Sequence, residues 1–187
     1  MPPVHQRSDA SRNAALLLAA ARELIAEVGN DVALDEVARR AGVGNATLYR
    51  HFPTRGDLLV AVYADEVAAL CERGERLRGD PDPIGALFAW LAEFVEHVAT
   101  KRPLALAATE GPAGRRTRLF EEWHATVNAT AAELVRRAAP ALRSGVTAVD
   151  LLSLAAGAAI TAGGTAHARH LVALLRDGVT AAAGRAV

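Results

Sequence analysis

The segment Leu34–Asp57, LDEVARRAGVGNATLYRHFPTRGD, decides how the rest of the chain is interpreted. It predicts two short helices joined by a tight turn, because Gly42 can adopt a positive φ without a steric penalty. Ala38 is small enough to let the second helix approach the first closely. The angle between the helices is expected to be held by a small core of three apolar residues, Val37, Val43 and Leu48. This is the helix-turn-helix pattern, in which the second helix lies in the major groove of DNA.

The charges of this segment favour the same interpretation. No acidic residue occurs from Val37 to Gly56, and the basic residues of this window are Arg39, Arg40, Arg50, His51 and Arg55. Basic side chains bind phosphates, whereas the base edges are read by side chains of the second helix. Asn45 and Thr47 lie early on that helix, and Asn can pair with adenine while Thr can offer a methyl group to thymine. For both residues a phosphate contact is an equally good alternative, and Tyr49 is expected at the DNA backbone.

The composition of the whole chain narrows the class of protein. Its 187 residues carry no net charge, since 21 acidic residues balance 21 basic ones. This excludes binding of nucleic acid through bulk charge alone, but it does not exclude a local basic patch. With 51% hydrophobic residues the chain is not intrinsically disordered, and 43 alanines with only 4% aromatic residues favour helices over strands. We therefore expect an all-α protein that does not span a membrane.

Hydrophobic spacing predicts about nine helices along the chain. The apolar residues of the first helix run from Ala14 to Val28, and Gly29 is a natural stop. Pro103 is expected to open a separate short helix that ends near Gly111. Side chains that can cap a helix start occur at four places: Thr54 with Asp57, Asp82 before Pro83, Thr147 with Asp150, and Thr165 after Gly163-Gly164.

The first 60 residues resemble the DNA-binding domain of the TetR family of bacterial transcriptional regulators. The residues that carry the resemblance are Ala19-Ala20, Leu24–Gly29, LDEVARRAGV at 34–43 and the compact NATLYRHFPTR at 45–55. The resemblance covers about a third of the chain, and the remainder agrees with the family only in helix count and length. The family implies a helix-turn-helix DNA-binding domain over residues 1–54 and a helical effector-binding and dimerisation domain over residues 55–187.

The resemblance also implies roles for single residues. The helix over 45–51 reads DNA, Tyr49 and His51 approach the DNA backbone, and Arg55 contacts a phosphate as a fork, where the family often has Lys. The sequence departs from the family at Ala33, where a hydroxyl residue usually caps the next helix, and Asp31 offers a weak substitute cap. The complete set of expected DNA contacts is Arg12, Leu34, Gly44, Asn45, Ala46, Thr47, Tyr49, Arg50, His51, Thr54 and Arg55.

The expected function is that of a homodimeric repressor that a small apolar or aromatic ligand releases from a palindromic operator. Two subunits would place their reading helices about 34–36 Å apart. An effector pocket is predicted among residues 56–138, lined by Phe88, Trp90, Phe94, His97, Phe120, Trp123 and His124, although a plain core role is a strong alternative for the aromatic residues. The last two helices are rich in Ala and Gly, which permits close approach, so a dimer seam is predicted at Leu151, Leu154, Ala155, Ala158, Leu171, Leu174 and Leu175.

Other classes of function find little support in the residues. No arrangement of side chains suggests catalysis, and no cofactor is expected. His167 and His170 lie three residues apart, but further ligands are not close in sequence, so no metal site is predicted. The single cysteine, Cys71, and the polar first 13 residues indicate a cytoplasmic protein. Two alternatives stay open: a DNA-binding regulator that never binds a small molecule, and a helical enzyme or small-molecule-binding module with a vestigial helix-turn-helix.

Overall fold

The computed structural model of the chain describes residues 4–108 and 113–181, with the side chains of residues 9–100, 118, 119 and 121–181. Eight α-helices follow one another: α1 (Val4–Val28), α2 (Leu34–Ala41), α3 (Asn45–His51), α4 (Arg55–Leu77), α5 (Pro83–Ala108), α6 (Ala113–Ala138), α7 (Ala148–Thr161) and α8 (Thr165–Val179). A short 3₁₀ turn over Ala139–Ala141 follows α6, and an isolated antiparallel bridge pairs Leu142 with Thr180. Because these residues form no sheet, the all-α prediction is confirmed. None of the helices in the described residues is both long and apolar enough to cross a membrane.

Two compact units divide the chain. The first unit comprises Met1–Asp65 and Pro103–Thr117, and the second comprises Glu66–Arg102 and Arg118–Val187. The first unit continues into α4, where the side chains of Leu58, Leu59 and Val62 are buried. The domain boundary after residue 54, expected from the resemblance, stays a prediction.

In the first unit, α1, α2 and α3 pack against one another. Side chains that are fully buried come from each of these helices and include Leu17, Ala21, Val37 and Leu48. α1 ends at Val28, before Gly29 with φ 78°, as the sequence predicts. It begins at Val4, ten residues before its apolar pattern, because polar residues such as the exposed Arg12 can prolong a helix without being buried.

The second unit has a larger and more aromatic core. Trp90 lies at its centre with 0% exposure, and its indole N–H donates a hydrogen bond of 2.9 Å to the carbonyl oxygen of Leu70. The ring of Phe94 stacks on Trp90 with 5.9 Å between the ring centroids. The other fully buried side chains of this core are Leu87, Leu91, Val95, Ala131, Leu134, Ala138, Leu151, Ala155 and Ala168.

Three of the predicted helix caps are confirmed, at Thr54, Asp82 and Thr147, and a fourth, at Thr165, is wrong because Thr165 is the first residue of α8 and the helix start has no side-chain cap. The backbone N–H of Asp57 donates to the Thr54 hydroxyl oxygen at 3.1 Å, and the backbone N–H of Thr54 donates to the Asp57 carboxylate at 3.2 Å. Thr147 and Asp150 form the same reciprocal capping box at the start of α7. The Asp82 carboxylate accepts a hydrogen bond of 2.9 Å from the backbone N–H of Gly85. These bonds satisfy N–H groups that a helix start leaves without a partner.

The prediction of a separate short helix at Pro103 is wrong. α5 runs without interruption from Pro83 to Ala108. The proline ring holds φ near the helical value, so a helix can continue through it at the loss of one backbone hydrogen bond. Ala99, Leu104 and Ala105 lie on either side and are strong helix formers, which favours continuation. The described residues therefore contain eight α-helices rather than about nine.

Candidate DNA interface

The turn between α2 and α3 has the geometry that the sequence predicts. Gly42 follows α2 with φ 66° and ψ 26°, in the left-handed region. Its backbone N–H donates to the Arg39 carbonyl at 3.2 Å, and the N–H of Val43 donates to the Ala38 carbonyl at 3.0 Å. These two bonds form a Schellman motif, which ends a helix and redirects the chain. An ideal Cβ on Gly42 would meet nothing within 4 Å, so the backbone conformation, and not a lack of space, requires glycine here.

The small core beneath the turn is also confirmed. Val37 and Leu48 have 0% exposure and Ala38 has 1%, while Val43 is half-buried. Leu48 is the buried position of α3. With this residue facing inward, the opposite side of α3 is left to solvent.

An exposed surface, here called the reading face, consists of Asn45, Ala46, Tyr49 and Arg50 on α3 with Arg55 at the start of α4. The other expected DNA contacts are placed less uniformly. Arg12 and Gly44 are exposed, whereas Leu34 and Thr47 are half-buried. Contact of these residues with DNA stays a prediction, and the structure shows which of them are available at the surface.

The carboxylate of Asp35 joins two residues of the reading face. Its Oδ1 atom accepts a hydrogen bond of 3.1 Å from the Asn45 amide and one of 3.3 Å from the Tyr49 hydroxyl. Asp35 is the second residue of α2, so these bonds connect the start of α2 to one side of α3. The negative charge of Asp35, with some desolvation and the hydrogen bond itself, raises the pKa of Tyr49 above its ordinary value.

Three arginines of the basic window are held by acids that lie outside it. The Arg39 guanidinium donates to Glu36, with Nε at 2.7 Å, and Arg40 donates to Glu27 at 2.6 Å. These hydrogen bonds lower the pKa of both glutamates. Arg55 pairs with Asp31. The positive charge of these three arginines is therefore partly balanced by neighbouring acids, which the sequence of the window alone does not show.

The interpretation of Asp31 as a substitute cap is wrong. Ala33 precedes α2 without any side-chain cap, as expected, but the Asp31 carboxylate binds the Arg55 guanidinium. Either partner would make a charge-assisted hydrogen bond with the carboxylate, but the guanidinium adds the attraction of a full positive charge. Arg55, which is expected to contact a DNA phosphate, thus already forms an ion pair with a residue of its own chain.

Two other expected DNA contacts are engaged or buried. The Nε2 atom of His51 is buried and lacks a hydrogen-bond partner among the described residues, so in this conformation it is not presented to a DNA backbone. The Thr54 hydroxyl belongs to the capping box of α4, where it accepts from the Asp57 N–H and donates to the Asp57 carboxylate at 2.7 Å.

Asp31 and Asp35 are the residues of this surface whose roles the sequence did not indicate. The available signal was their position within six residues of the start of the acid-free window. Their partners, however, lie 10 to 24 residues further along the chain. Such pairing depends on how separate helices pack, and a local pattern does not contain that information.

The residues expected to bind an effector are divided between core and surface. Phe88, Trp90 and Phe94 are buried in the core of the second unit, and the Arg176 guanidinium lies 6.0 Å from the centroid of the Phe88 ring. His97 and Trp123 are half-buried, and His124 is exposed. The side chain of Phe120 lies outside the described residues.

The residues expected at a dimer seam also have two orientations. Leu151 and Ala155 face the core of their own protomer, with 1% and 0% exposure. Leu154 and Leu174 are 55% and 53% exposed. The remaining three, Ala158, Leu171 and Leu175, are half-buried. α7 and α8 pack against each other.

The structure adds two observations on metal and redox chemistry. Within the described residues, no group of three or more His, Cys, Asp or Glu side chains is arranged to hold a metal ion. Cys71 is half-buried, and this burial raises the pKa of its thiol. A raised pKa disfavours the thiolate, which is the reactive form.

Comparisons with protein families cover both parts of the chain. The profile described as "Bacterial regulatory proteins, tetR family" matches residues 17–62, which include the helix-turn-helix. The profile described as "Transcriptional regulator SbtR-like, C-terminal domain" matches residues 82–181. No curated protein matches the chain.

Solved structures resemble the chain over nearly its whole length. The TetR transcription regulatory protein from Mycobacterium vanbaalenii is 30% identical, with a TM-score of 0.73, over 94% of this chain and 99% of that one. The TetR transcriptional regulator SCO0520 from Streptomyces coelicolor is 35% identical, with a TM-score of 0.69, over 91% and 99%. The transcriptional regulator FadR from Bacillus subtilis, solved in complex with stearoyl-CoA, shares the fold at 16% identity, with a TM-score of 0.62, over 87% and 97%.

Proposed function

Because the chain belongs to the TetR family of bacterial transcription regulators, we propose that it is a homodimeric repressor of a palindromic operator, released by a small apolar or aromatic ligand. The observation that carries DNA binding is the reading face. α3 has one buried residue, Leu48, and presents Asn45, Tyr49 and Arg50 to solvent beside Arg55. This is the side-chain chemistry that binds base edges and phosphates in the major groove.

Dimerisation follows from the apolar residues that α7 and α8 leave exposed. Leu154 and Leu174 are more than half exposed, although they belong to helices whose other leucines are buried or half-buried. Gly157 and Ala158 share one side of α7 with Leu154, and small residues allow a second helix to approach closely. A second copy of the hairpin would cover these residues in a four-helix bundle. Residues Leu151 and Ala155 would then support the seam from inside the protomer.

Control by a ligand requires that the second unit influences the reading face. α4 is continuous from Arg55, on the reading face, to Leu70 and Leu77 in the core of the second unit. A ligand that binds among α4, α5 and α6 and moves α4 would change the distance between the two reading helices of a dimer. FadR was solved in complex with stearoyl-CoA, whose long acyl chain is apolar, which supports ligands with apolar chains as the class to test first. The ligand can shift DNA affinity only by its different affinities for the two arrangements, about 5- to 150-fold in typical cases.

A ligand-independent regulator is the second candidate, and one observation favours it. Phe88, Trp90 and Phe94 are buried as core residues, and the indole N–H of Trp90 already has a partner. Thermal unfolding in the presence of acyl-CoA thioesters and hydrophobic aromatic compounds separates the two candidates. A rise in melting temperature together with release of DNA supports ligand control, and neither effect with any compound supports the second candidate.

The test of DNA binding is selection of genomic fragments by the purified protein, followed by titration of the selected duplex. Arg55→Ala is expected to weaken binding to all sequences about equally and to reduce the slope of log K against log salt by about 1, as loss of a phosphate contact does. Arg76→Ala is the matched control, because Arg76 is an exposed arginine near an acid, Glu72, at the other end of the same helix. Failure to select any sequence would overturn the proposal.

The dimer is tested separately by sedimentation. Leu154→Glu or Leu174→Glu is expected to give monomers, because each would place a charge in the seam. Leu16→Glu is the control, since Leu16 is 42% exposed on α1 in the first unit. A dimer that persists in both seam variants would contradict the proposed interface.

A further inference from the structure

The exposed carboxylate of Asp35 lies between two side chains of the reading face. Asn45 and Tyr49 are four residues apart and therefore on the same side of α3. Both donate to one atom, Asp35 Oδ1, at 3.1 and 3.3 Å. A single acidic residue of α2 thus contacts two side chains of the reading face and favours the orientations in which both donate to it.

A helix dipole accounts for part of this arrangement. Acidic residues are favourable in the first turn of a helix, and α2 has two of them, Asp35 and Glu36. The dipole does not account for the direction of the side chain, because it favours a nearby negative charge without requiring contact with α3. Glu36 satisfies the same dipole while binding Arg39 of its own helix.

The hydrogen-bond donors and acceptors that remain free on Tyr49 determine which groups of DNA it can bind. A tyrosine hydroxyl has one proton, and Tyr49 gives it to Asp35, so only lone pairs remain for a partner outside the protein. Phosphate oxygens are also acceptors, so they cannot form a hydrogen bond with a hydroxyl whose proton is already donated to Asp35. The exocyclic amino groups of adenine and cytosine are donors and do match it.

The donors and acceptors that remain free on Asn45 favour contact with adenine. Its amide has two N–H donors and one carbonyl acceptor, and one N–H is held by Asp35. One donor and one acceptor remain, which is the pair that binds N7 and the N6 amino group of adenine. The charge of Asp35 adds a general repulsion of phosphates that are within a Debye length.

We propose that Asp35 is a specificity-determining residue that directs Asn45 and Tyr49 away from phosphates and towards the amino groups of bases, adenine above all. This inference rests on the proposed DNA-binding function. It replaces the DNA-backbone role that the resemblance implies for Tyr49. Asp35 acts through these two side chains and is therefore a positioning residue.

The first test measures the ratio between the affinities for the selected operator and for a random duplex. Asp35→Ala is expected to raise the affinity for random DNA and to lower the ratio about 5- to 150-fold, the range for loss of one good base contact. Asp35→Asn keeps an oxygen acceptor at the same place and is expected to retain most of the ratio. Glu23→Ala removes an exposed acid from the same unit and is expected to raise both affinities alike.

The second test does not involve DNA. Tyr63 is the other tyrosine of the chain, so in a Tyr63→Phe background the ultraviolet titration reports Tyr49 alone. Asp35→Asn is expected to lower the pKa of Tyr49 towards its ordinary value, because the charge that raises it is removed. Glu23→Ala is expected to leave this pKa unchanged.

The outcomes separate the two proposals. If the wild-type protein selects an operator but Asp35→Ala keeps the ratio, the inference is wrong and the proposed function stands. An unchanged titration of Tyr49 in Asp35→Asn also overturns the inference alone. If the wild-type protein selects no sequence, the proposed function fails and the inference fails with it.

Discussion

The two compact units use their polar and aromatic side chains in opposite ways. Around α3 in the first unit, Tyr49 is 45% exposed and its hydroxyl binds a surface carboxylate. In the second unit, Trp90 has no exposure and its indole N–H binds a main-chain carbonyl. The Tyr49 side chain is therefore at the surface, where another molecule can reach it. The Trp90 side chain instead contributes to the packing of the core and stabilises its unit.

Replacing the two aromatic residues tests this difference most strongly. Trp90→Ala is expected to reduce the free energy of unfolding by about 3–5 kcal/mol, because it leaves a cavity in the core and removes the partner of the Leu70 carbonyl. Tyr49→Ala is expected to change it by no more than about 0.5 kcal/mol, as is usual at exposed positions. Urea denaturation followed by circular dichroism measures both. A stable Trp90→Ala protein that has lost only its ligand response would instead place Trp90 in an effector pocket.

Two glycines extend the comparison to the backbone. An ideal Cβ on Gly74 would lie 2.2 Å from Cγ2 of Thr130 and 3.1 Å from Nε1 of Trp90, so lack of space requires glycine in the second unit. Gly74→Ala is expected to cost about 1–3 kcal/mol, as overpacking does. Thr130→Ser removes the methyl group that clashes, so the double variant is expected to regain part of this loss. No recovery in the double variant would contradict a steric origin.

In the first unit, a positive φ requires glycine at position 42. Gly42→Ala is expected to cost about 1–2 kcal/mol, because an L-residue with a side chain is strained in the left-handed region. Gly42→Asn is expected to cost less, since asparagine adopts that region more readily. Thermal or urea unfolding measures both variants, and an equal loss in both would indicate a steric cause rather than a conformational one.

The same contrast explains what the sequence could predict. The helix-turn-helix was predictable because its signals are local: Gly42 at the turn, apolar spacing around Leu48, and the cap at Thr54. The pairing of Asp31 and Asp35 was not, because it depends on how separate helices pack. The roles of Phe88 and Trp90 were ambiguous for another reason: a buried core and an apolar pocket require the same residues at the same helical spacing. The continuation of α5 through Pro103 was not predictable from the proline alone, because its helix-breaking tendency competes with the helix formers on both sides of it.

Both units contain a capping box, at Thr54 in the first unit and at Thr147 in the second. Thr54→Ala and Thr147→Ala are each expected to cost about 1 kcal/mol, the usual value of an N-cap side chain. Hydrogen bonds from Thr147 lower the pKa of Asp150, so this carboxylate stabilises the fold above its unfolded pKa and ceases to do so as the pH falls through its folded pKa. The loss caused by Thr147→Ala is therefore expected to shrink in acid. Urea midpoints at neutral pH and below pH ~4 measure this, and a constant loss would contradict the role of the carboxylate.

The smallest expected effect concerns the ion pair between Asp31 and Arg55 in the first unit. Surface ion pairs contribute about 0.2–1 kcal/mol, so Asp31→Asn is expected to leave stability nearly unchanged and to raise DNA affinity by no more than about fivefold. The increase arises because a phosphate no longer competes with the Asp31 carboxylate for the Arg55 guanidinium. Glu72→Gln, next to Arg76 at the other end of α4, is the matched control and is expected to leave affinity unchanged.

A double-mutant cycle tests more sharply whether the Asp31 carboxylate and a DNA phosphate compete for Arg55. In an Arg55→Ala background, Asp31→Asn is expected to retain only the small gain that comes from removing a negative charge near DNA, because the competition no longer exists. Equal gains in both backgrounds would mean that Asp31 acts through its charge alone. A fall in affinity in the single variant would mean that Asp31 orients Arg55 for its phosphate, as Asp35 is proposed to orient Asn45 for a base. The two aspartates would then have the same role, and the acids before the basic window would position the reading face as a whole.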